Sequence, residues 1–505
     1  MFTNFLQRKG FWLFVAASLV ISLILRQQPV TPDVSWLITM CERILAGETA
    51  YIDIFETTPP VPMLLYMPGA LIAMLLPVST ETASYFTVYI AYFISLTLTA
   101  RILPAFITDE ISSRWLIITP AIFFLFVLSY DAFAQRETIA AAFALPITAV
   151  FVRSMAGQGW GSTPLRIGAI ILGALSIAIK PPLFALPGIV LGIYAISETR
   201  SLRPLYSSGL ALAGILGVSL TAISLAIYPA YLGDMTTLMR DIYVPVREPL
   251  AVALGKPAIV AAMGMLMACA LLLSGSKKAK PAIIFALVAL SYFLIIPVQG
   301  KYFGYHAAPT CLFGLIALSL AIANRLTEKQ EPRRNRYQSM AIFGTASAWL
   351  AAQTFLGLDD RIQPIEDLSW SASLEQPTAL AITPYIGVGF PLARDIDAVW
   401  IDRIHSQWAM NYARLNMQRT DLSDDERELS AGYFNRERNR VRALIQEDRP
   451  EIIIQSVYSG TEWLNVAMLE GAEHLLDDYE IVSEDPIYRI WQRTPLPTNL
   501  SASAN

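Results

Sequence analysis

Charged residues are scarce in this sequence of 505 residues. Asp, Glu, Lys and Arg together make up 15% of it, whereas soluble globular proteins carry roughly 25%. Hydrophobic residues make up 54%, a proportion typical of a polytopic membrane protein. Positive charge is lacking too, because the net charge is −4 and no long run of basic residues occurs. The composition therefore excludes a nucleic-acid-binding protein.

Cysteine is equally rare, with three residues that lie far apart: Cys41, Cys269 and Cys311. They do not have the spacing of a disulfide framework or of a zinc site, so the sequence excludes both. A cleavage site of small residues is missing after the N-terminal apolar run 11–25. We therefore interpret this run as a retained first membrane helix rather than as a signal peptide.

Long apolar runs are what the sequence does contain, and none of them carries a charged residue or histidine in its interior. They predict about eleven membrane spans, several of them short. The runs are 11–25, 83–99, 115–129, 138–152, 167–179, 181–197, 207–228, 257–273, 281–297, 308–323 and 339–356.

The distribution of Lys and Arg between the loops predicts the topology. One alternating set of loops, between Arg101 and Arg336, carries fourteen of these residues, and the positive-inside rule places such a set in the cytoplasm. This assignment requires the further apolar run 61–76 to dip into the membrane without crossing it. The outer face then receives residues 26–82, 130–137, Lys180, 229–256, 298–307 and the whole chain after 356.

Residues 357–505 have a different character, because charges become frequent and short β-rich stretches alternate with turn signals. The polar stretch 421–448 is predicted as a helix of mixed charge. We predict a soluble α/β domain of about 150 residues here, a usual domain size. The expected fold class is therefore mainly α: a polytopic bundle of membrane helices over 1–356, with interfacial and re-entrant helices, and an outer-face α/β domain over 357–505.

Carboxylates are concentrated in the first outer loop. Asp33 begins an amphipathic segment, and Gly47 is expected to end it as a helix in the membrane interface. Asp33 is a candidate catalytic residue, and the alternative is an N-cap that accepts backbone N–H bonds. Glu56 is a second candidate, because it stands just before a Pro pair that forbids regular helix. Asp53 is interpreted as a solvated loop acid.

The other outer turns add polar side chains to the same face. Lys180 is a single cation in a tight turn between two uncharged runs, and such a cation suits a lipid phosphate. Snorkelling at the membrane boundary is the alternative for Arg136, an aromatic belt for Tyr305 and a structural role for His306. The candidates for binding an anionic lipid are Gln135, Arg136, Glu137, Lys180, Arg247, Lys301, Tyr305 and His306.

Four motifs form a recognisable arrangement: PDVSWLITMCERILAGETAYIDIFETTPPVPMLLY at 32–66, QRE at 135–137, the Lys-Pro turn at 180–181 and GKYFGYH at 300–306. With them, residues 1–356 resemble the GT-C superfamily of integral-membrane glycosyltransferases, in particular the bacterial relatives of lipid A aminoarabinose transferase and of protein O-mannosyltransferases. The sequence departs from that family at Thr57 and Thr58, where Asn or Lys often precedes the Pro pair. No DxD motif follows the first helix, which disfavours a metal-dependent variant, although the resemblance leaves a divalent metal open.

The resemblance implies a sugar donor carried on a polyprenyl phosphate and an acceptor that is a glycan, a lipid or a protein. It implies transfer at the outer face of a bacterial inner membrane and requires no cofactor. For inverting transfer, Asp33 would be the general base and Glu56 would orient the acceptor or the loop. The implied donor-binding set is Lys180, Arg136, Lys301 and Arg247 for the phosphate or sugar, with Tyr51 and Tyr305 at the sugar ring.

Two other classes of function stay open. A lipid-linked glycan transporter or flippase is the first, but transport pathways place charged groups at mid-membrane depth, where the apolar runs have none. A non-catalytic envelope assembly factor is the second, with residues 357–505 binding a partner protein. Neither class requires a catalytic carboxylate at position 33.

Overall fold

The computed structural model describes residues 2–28, 30–103, 113–158, 162–274, 279–327 and 368–494. Within residues 2–327 the described α-helices follow the apolar runs closely, because a chain without water around it must satisfy its backbone groups inside each segment. They are α1 (Phe2–Leu25), α2 (Pro32–Leu45), α3 (Pro60–Met63), α4 (Met67–Leu75), α5 (Thr80–Ile102), α6 (Ser113–Phe123), α7 (Arg136–Met155), α8 (Thr163–Ile179), α9 (Leu186–Thr199), α10 (Arg203–Ser208), α11 (Leu210–Ile227), α12 (Asp234–Leu238), α13 (Leu250–Leu254), α14 (Pro257–Leu273), α15 (Lys280–Gln299) and α16 (Ala308–Thr327).

The predicted class of multi-pass membrane protein is confirmed. Five helical segments are long and apolar enough to cross a membrane: Thr80–Ile102, Arg136–Met155, Leu210–Ile227, Lys280–Gln299 and Gly304–Arg325. Shorter apolar helices account for the other described runs, and α14 coincides with the run 257–273. The run 339–356 and the boundary at residues 356 and 357 lie outside the described residues.

The apolar run 61–76 is helical but broken. Its helices α3 and α4 are separated by a 3-10 turn, Leu64–Tyr66, and each begins with a proline at its first or second position. Proline fits there because the first helical N–H groups need no partner within the helix. That this segment dips without crossing the membrane stays a prediction.

The chain divides into two compact units that differ from a simple split along the sequence. The described residues of the first fall within Met1–Gln28, Thr58–Pro229 and Arg247–Arg361, and those of the second within Pro29–Thr57, Ala230–Val246 and Ile362–Asn505. We name Pro29–Thr57, which contains Asp33, Asp53 and Glu56, the acidic loop. It belongs to the same unit as the C-terminal part of the chain. The predicted outer-face location of that part stays a prediction.

The second unit contains a five-stranded sheet, so the predicted C-terminal α/β fold is confirmed. The strand order is β2-β1-β3-β5-β4, in which β1 is parallel to β2 and β3, while β5 is antiparallel to β3 and β4. Leu380 and Ile453 pack with Val441 in the core beside the sheet. The C-terminal elements are β1 (Thr378–Ile382), α17 (Ile386–Gly389), α18 (Leu392–Asp395), β2 (Val399–Trp400), α19 (Trp408–Met417), α20 (Asp424–Glu447), β3 (Ile452–Ser456), α21 (Glu462–Leu469), β4 (Tyr479–Glu484) and β5 (Tyr488–Arg493).

Helix α2 is part of this second unit and is buried along most of its length. All residues from Val34 to Cys41 are buried, which is more than the single apolar face that the sequence predicted. The reason is that the C-terminal segment supplies partners for the polar positions as well: Arg394 donates to Thr39 at 2.9 Å. The helix ends at Leu45 with Ala46 as its C-cap, and Gly47, which the sequence predicted as the end, follows with a φ of +107°.

Candidate functional site

The turn before α7 is held by side chains that donate to its backbone. The Tyr66 hydroxyl donates to the carbonyl of Ala134 at 2.6 Å, and Tyr92 and Arg26 donate to the carbonyls of Phe133 and Tyr130. Such bonds satisfy carbonyl groups that irregular buried backbone would otherwise leave without partners. The turn therefore presents the QRE motif in a fixed position.

Each residue of that motif is placed by the start of α7. Gln135 is the buried N-cap residue, and Arg136 is the first residue of the helix. The Arg136 guanidinium donates to the hydroxyl of Thr58, which directly precedes the Pro pair. Sequence reasoning noted Thr58 only as a departure from a family pattern, and the structure gives it a polar partner from the candidate set.

Glu137 is the centre of a polar group that we name the Glu137 cluster: the buried Glu137 and His306 with the partly exposed Lys180 and Gln299. Its side chain is 2% exposed, and Lys180 Nζ lies 2.6 Å from Glu137 Oε1. The same Nζ donates to Gln299 Oε1, also at 2.6 Å. A buried carboxylate requires such a cation, because an unpaired charge would lose its hydration without compensation. Gln299 was not among the predicted site residues, because it is uncharged and lies just after the apolar run 281–297.

His306 adds a second nitrogen to the cluster. Its Nε2 lies 4.0 Å from Glu137 Oε1, and its Nδ1 lies 2.7 Å from the carbonyl oxygen of Lys301. Because a carbonyl only accepts, Nδ1 carries the proton, and Nε2 of the neutral ring is then an acceptor. The Tyr305 ring packs edge-on against His306 with centroids 4.8 Å apart.

Lys301 and Arg247 lie in two loops that are joined by a hydrogen bond from the Glu248 N–H to the carbonyl of Gly300 at 3.0 Å. Burial lowers the pKa of Lys301 to about 8, with Glu248 raising it and Arg247 lowering it further. Arg247 Nη2 donates to the carbonyls of Pro297 and Val298 at 3.1 and 2.5 Å. Gly300 allows this approach, since a Cβ there would lie 2.7 Å from Arg247 Nε.

The remaining predicted site residues, Asp33, Tyr51 and Glu56, belong to the second unit. Asp33 is the second residue of α2 and is partly exposed, and the N-cap residue is Thr31. A carboxylate in the first turn interacts favourably with the helix dipole. Asp53 accepts a hydrogen bond from the Thr49 N–H at 2.8 Å, a contact within its own turn.

Glu56 is buried and its carboxylate is oriented by two donors. Trp36 Nε1 lies 2.9 Å from Oε2, and the Thr57 hydroxyl lies 3.1 Å from Oε1. Tyr231, which sequence reasoning missed, donates to the carbonyl of Thr57 at 3.1 Å. Burial, followed by the negative charge of Glu56, raises the pKa of Tyr231 to about 12. Tyr51 packs edge-on against Tyr231 with centroids 5.0 Å apart.

No group of three or more His, Cys, Asp or Glu side chains suited to a metal ion occurs within the described ranges. Lys180, Glu137 and His306 are thus brought together, with Arg136 and Lys301 adjoining them in the chain or through the backbone. This arrangement places the positive charges of Lys180 and Arg136 next to the Glu137 carboxylate, which has one oxygen without a hydrogen bond. Glu137 Oε2 is buried and has no hydrogen-bond partner among the described residues.

Two solved structures are similar to this chain along nearly its whole length. ArnT from Cupriavidus metallidurans bound to undecaprenyl phosphate has a TM-score of 0.55 at 12% identity, with 96% of this chain and 98% of that chain covered. The apo state of the same protein has a TM-score of 0.51 at 13% identity, with the same coverage. This chain has the fold of ArnT.

The ArnT fold confirms the predicted GT-C fold class. The sequence resemblance was limited to residues 1–356, whereas the structural likeness to ArnT covers 96% of the chain and therefore reaches into the C-terminal part as well. No family model matches the sequence, and no curated protein is similar to it in sequence.

Proposed function

We propose that this protein transfers a sugar from a polyprenyl-phosphate-linked donor to an acceptor of the cell envelope, at the outer face of a bacterial inner membrane. The observation that carries the proposal is the Glu137 cluster, in which Lys180 is held at 2.6 Å from a buried carboxylate. Support comes from the fold, because an ArnT structure with that fold is bound to undecaprenyl phosphate.

The cluster suits a phosphate at headgroup depth. Lys180 directly follows helix α8, which has no charged residue after Arg166, and this supports the proposal that its ammonium group meets the charged head of a lipid whose tail is apolar. Glu137 and Gln299 fix the Nζ position before any ligand arrives. Charges that are oriented in advance stabilise the anion of a leaving phosphate without reorganisation at the moment of reaction. Arg136 and Lys301 are proposed as the neighbouring cations.

The proposed reaction is an inverting substitution at the sugar carbon. The acceptor oxygen forms a bond to that carbon while the bond from the carbon to the phosphate oxygen breaks, and Asp33 takes the hydroxyl proton as general base. The polyprenyl phosphate leaves with its electron pair and stays bound to the cations. Glu56 is proposed to orient the acceptor, since its carboxylate is already held by Trp36 and Thr57.

A donor panel tests the proposal directly. The purified protein, in lipid nanodiscs, is incubated with a series of polyprenyl-phosphate sugars and envelope extract, and products are followed by mass. The wild type is expected to release polyprenyl phosphate with one donor and to glycosylate one acceptor fraction. Wild-type protein that is inert with every donor would contradict the proposal and favour the assembly-factor class.

A matched pair of loop variants tests the base. Asp33→Asn is expected to lower transfer by roughly 10²–10⁴-fold, whereas Asp53→Asn, in the same loop but bonded only within its turn, retains it. Both variants should bind undecaprenyl phosphate with wild-type affinity. Full transfer by Asp33→Asn would remove Asp33 from the mechanism.

A further inference from the structure

At Phe55, the residue immediately before Glu56, the acidic loop is attached to residues 368–494 of the same unit, which we name the C-terminal segment. The N–H of Phe55 donates to the carbonyl of Arg403 at 2.6 Å. The Arg403 guanidinium lies over the Phe55 ring, 4.2 Å from its centroid. A cation over an aromatic face is attracted by the ring quadrupole, and more strongly where water is excluded. The residue next to Glu56 is therefore held through both its backbone and its side chain.

Arg403 is in turn held by a buried charge network, which we name the Asp402 network: Asp402, Arg403, Glu437 and Arg440. Arg403 Nη2 lies 3.2 Å from Glu437 Oε1, and Arg440 Nε lies 2.9 Å from Glu437 Oε2. Arg440 also pairs with Asp402, whose side chain is 0% exposed. Two acids and two arginines balance in charge, and all four carboxylate oxygens accept hydrogen bonds, which limits the alternative positions of the Arg403 side chain.

A second attachment from the same segment reaches the hydrogen-bond donor of Glu56. The buried Trp36 ring contacts the rings of Phe390 and His405, with centroids 5.3 and 5.6 Å away in edge-on geometry. Its Nε1 donates to Glu56 Oε2 at 2.9 Å. The direction of the Glu56 carboxylate thus depends on the position of Trp36, which residues 390 and 405 determine.

We infer that the C-terminal segment is a positioning element for Glu56, in which Arg403 fixes Phe55 and the Phe390–His405 pair fixes Trp36. This inference rests on the proposed function, because it gives the positioned carboxylate its use in orienting the acceptor. A buried charge network is a costly anchor compared with apolar packing. Its use at the residue preceding Glu56 indicates that geometry, rather than attachment alone, is what the network provides.

Arg403→Met tests the first attachment with a readout that needs no activity. Hydrogen exchange of peptides covering residues 49–57 is expected to quicken by about two- to fivefold, the effect of losing a cation–π contact of a partly exposed arginine. Arg403→Lys keeps the cation and should restore most of the protection. The control is Arg414→Met, which removes a similar contact over the Trp463 ring at 4.5 Å in the same unit and should leave the loop unchanged.

Kinetics distinguish positioning from structural support. In Arg403→Met the acceptor KM is expected to rise by about tenfold with the donor KM unchanged. Trp36→Phe removes the N–H and keeps an aromatic ring next to Phe390 and His405. The Trp36→Phe variant should show the same rise in acceptor KM, while hydrogen exchange in residues 49–57 stays at the wild-type rate.

The outcomes separate this inference from the proposed function. Wild-type exchange in Arg403→Met overturns the inference, whether or not any sugar is transferred, and so does an unchanged acceptor KM in Trp36→Phe. If exchange quickens in Arg403→Met while the wild type is inert with every donor, the proposed function fails and the positioning of the loop by Arg403 stands.

Discussion

Buried carboxylates with cationic partners occur in both units, and the two groups differ in how completely they are satisfied. In the Asp402 network every oxygen of Asp402 and Glu437 accepts a hydrogen bond from a guanidinium group or a backbone N–H. In the Glu137 cluster, Oε1 of Glu137 pairs with Lys180, and Oε2 is buried without a partner in the described part of the chain. Native proteins leave few buried polar atoms in that condition.

The charge balance of the two groups differs as well. The Asp402 network has two acids and two arginines and is neutral. Glu137 is acted on by Lys180 inside its cluster and by Arg136 beside the cluster, so the cluster and Arg136 together have one more cation than acids. A neutral network whose carboxylate oxygens are all bonded fits a scaffold. Glu137 Oε2 still needs a hydrogen-bond donor and has cations beside it, which fits a site completed by a ligand that carries both a hydroxyl group and an anionic group. The predictions below test this distinction.

The largest effect is expected from breaking the Asp402 network. Asp402→Asn leaves Arg440 without one of its two buried acids, so the free energy of unfolding should fall by about 3–5 kcal/mol. Adding Arg440→Gln should recover part of that loss, because the pair then contains no uncompensated charge. The measurement is thermal unfolding in lipid nanodiscs.

The control for the network is Glu480→Gln, an exposed position on β4, which is expected to leave the unfolding temperature unchanged. If Asp402→Asn unfolds at the wild-type temperature, the network is not the scaffold that its fully bonded carboxylates suggest. The contrast with the Glu137 cluster would then be lost.

The next effect is expected on activity rather than on stability. Lys180→Met alone would leave Glu137 buried and uncompensated, so we combine it with Glu137→Gln to keep the fold. The double variant should unfold like the wild type yet transfer sugar roughly 10²–10³-fold more slowly, the cost of losing a preorganised charge contact. Undecaprenyl phosphate binding should weaken in parallel.

Lys256→Met is the matched control, because Lys256 is another predicted outer-loop cation and lies just before α14. It should retain transfer. Wild-type transfer by the Lys180→Met, Glu137→Gln variant would make the Glu137 cluster a scaffold as well, and the distinction between the two groups would collapse.

The sequence predicted one of these groups and not the other, for a physical reason. Lys180 stands out because a lone cation between two uncharged apolar runs is costly unless something pairs with it. Asp402 and Arg440 are 38 residues apart in a polar segment, where acids and arginines are common and usually solvated. No local signal distinguishes the buried pair from its exposed neighbours.

The existence of most helices in residues 2–327 followed from hydropathy, although bounds such as the start of α1 at Phe2 did not, and neither did the grouping of segments into units. The membership of α2 in the second unit depends on tertiary contacts such as Arg394 with Thr39, which no periodicity reports. The extent of α2 burial was therefore underestimated. Tyr231 was missed for the same reason, since it contacts Thr57 across 174 residues of sequence.

A smaller effect is expected from the titration of Lys301, which adjoins the Glu137 cluster through His306. Its pKa of about 8 in the folded protein lies below the usual value near 10.4. Below pH 8 the lysine is therefore charged, and above it neutral. Affinity for undecaprenyl phosphate should fall by about tenfold between pH 7 and pH 9.5, the loss of one charge-assisted contact.

The lowered pKa of Lys301 also affects stability, but in the opposite direction to binding, because its contribution to stability increases as the pH rises. Between about pH 8 and pH 10.4 the unfolded chain holds the Lys301 proton and the folded protein does not, so this residue destabilises the fold below pH 8 and ceases to do so as pH rises. The affinity of Lys301→Arg for undecaprenyl phosphate should not change between pH 7 and pH 9.5. Lys301→Met should bind this lipid more weakly at every pH. A wild-type affinity that is flat from pH 7 to pH 9.5 would exclude Lys301 from the cationic site.

The smallest effect is expected at Tyr231, which donates a hydrogen bond to Thr57, the residue after Glu56 in the same unit. Tyr231→Phe removes the bond to the Thr57 carbonyl and should lower the free energy of unfolding by about 1 kcal/mol. Tyr458→Phe is the control, because its hydroxyl has no hydrogen-bond partner among the described residues. If loop position matters for acceptor binding, Tyr231→Phe also raises the acceptor KM a few-fold with the donor KM unchanged. An equal rise in both constants would instead assign Tyr231 to general packing of the loop, because a contact that only supports the fold cannot discriminate between the two substrates.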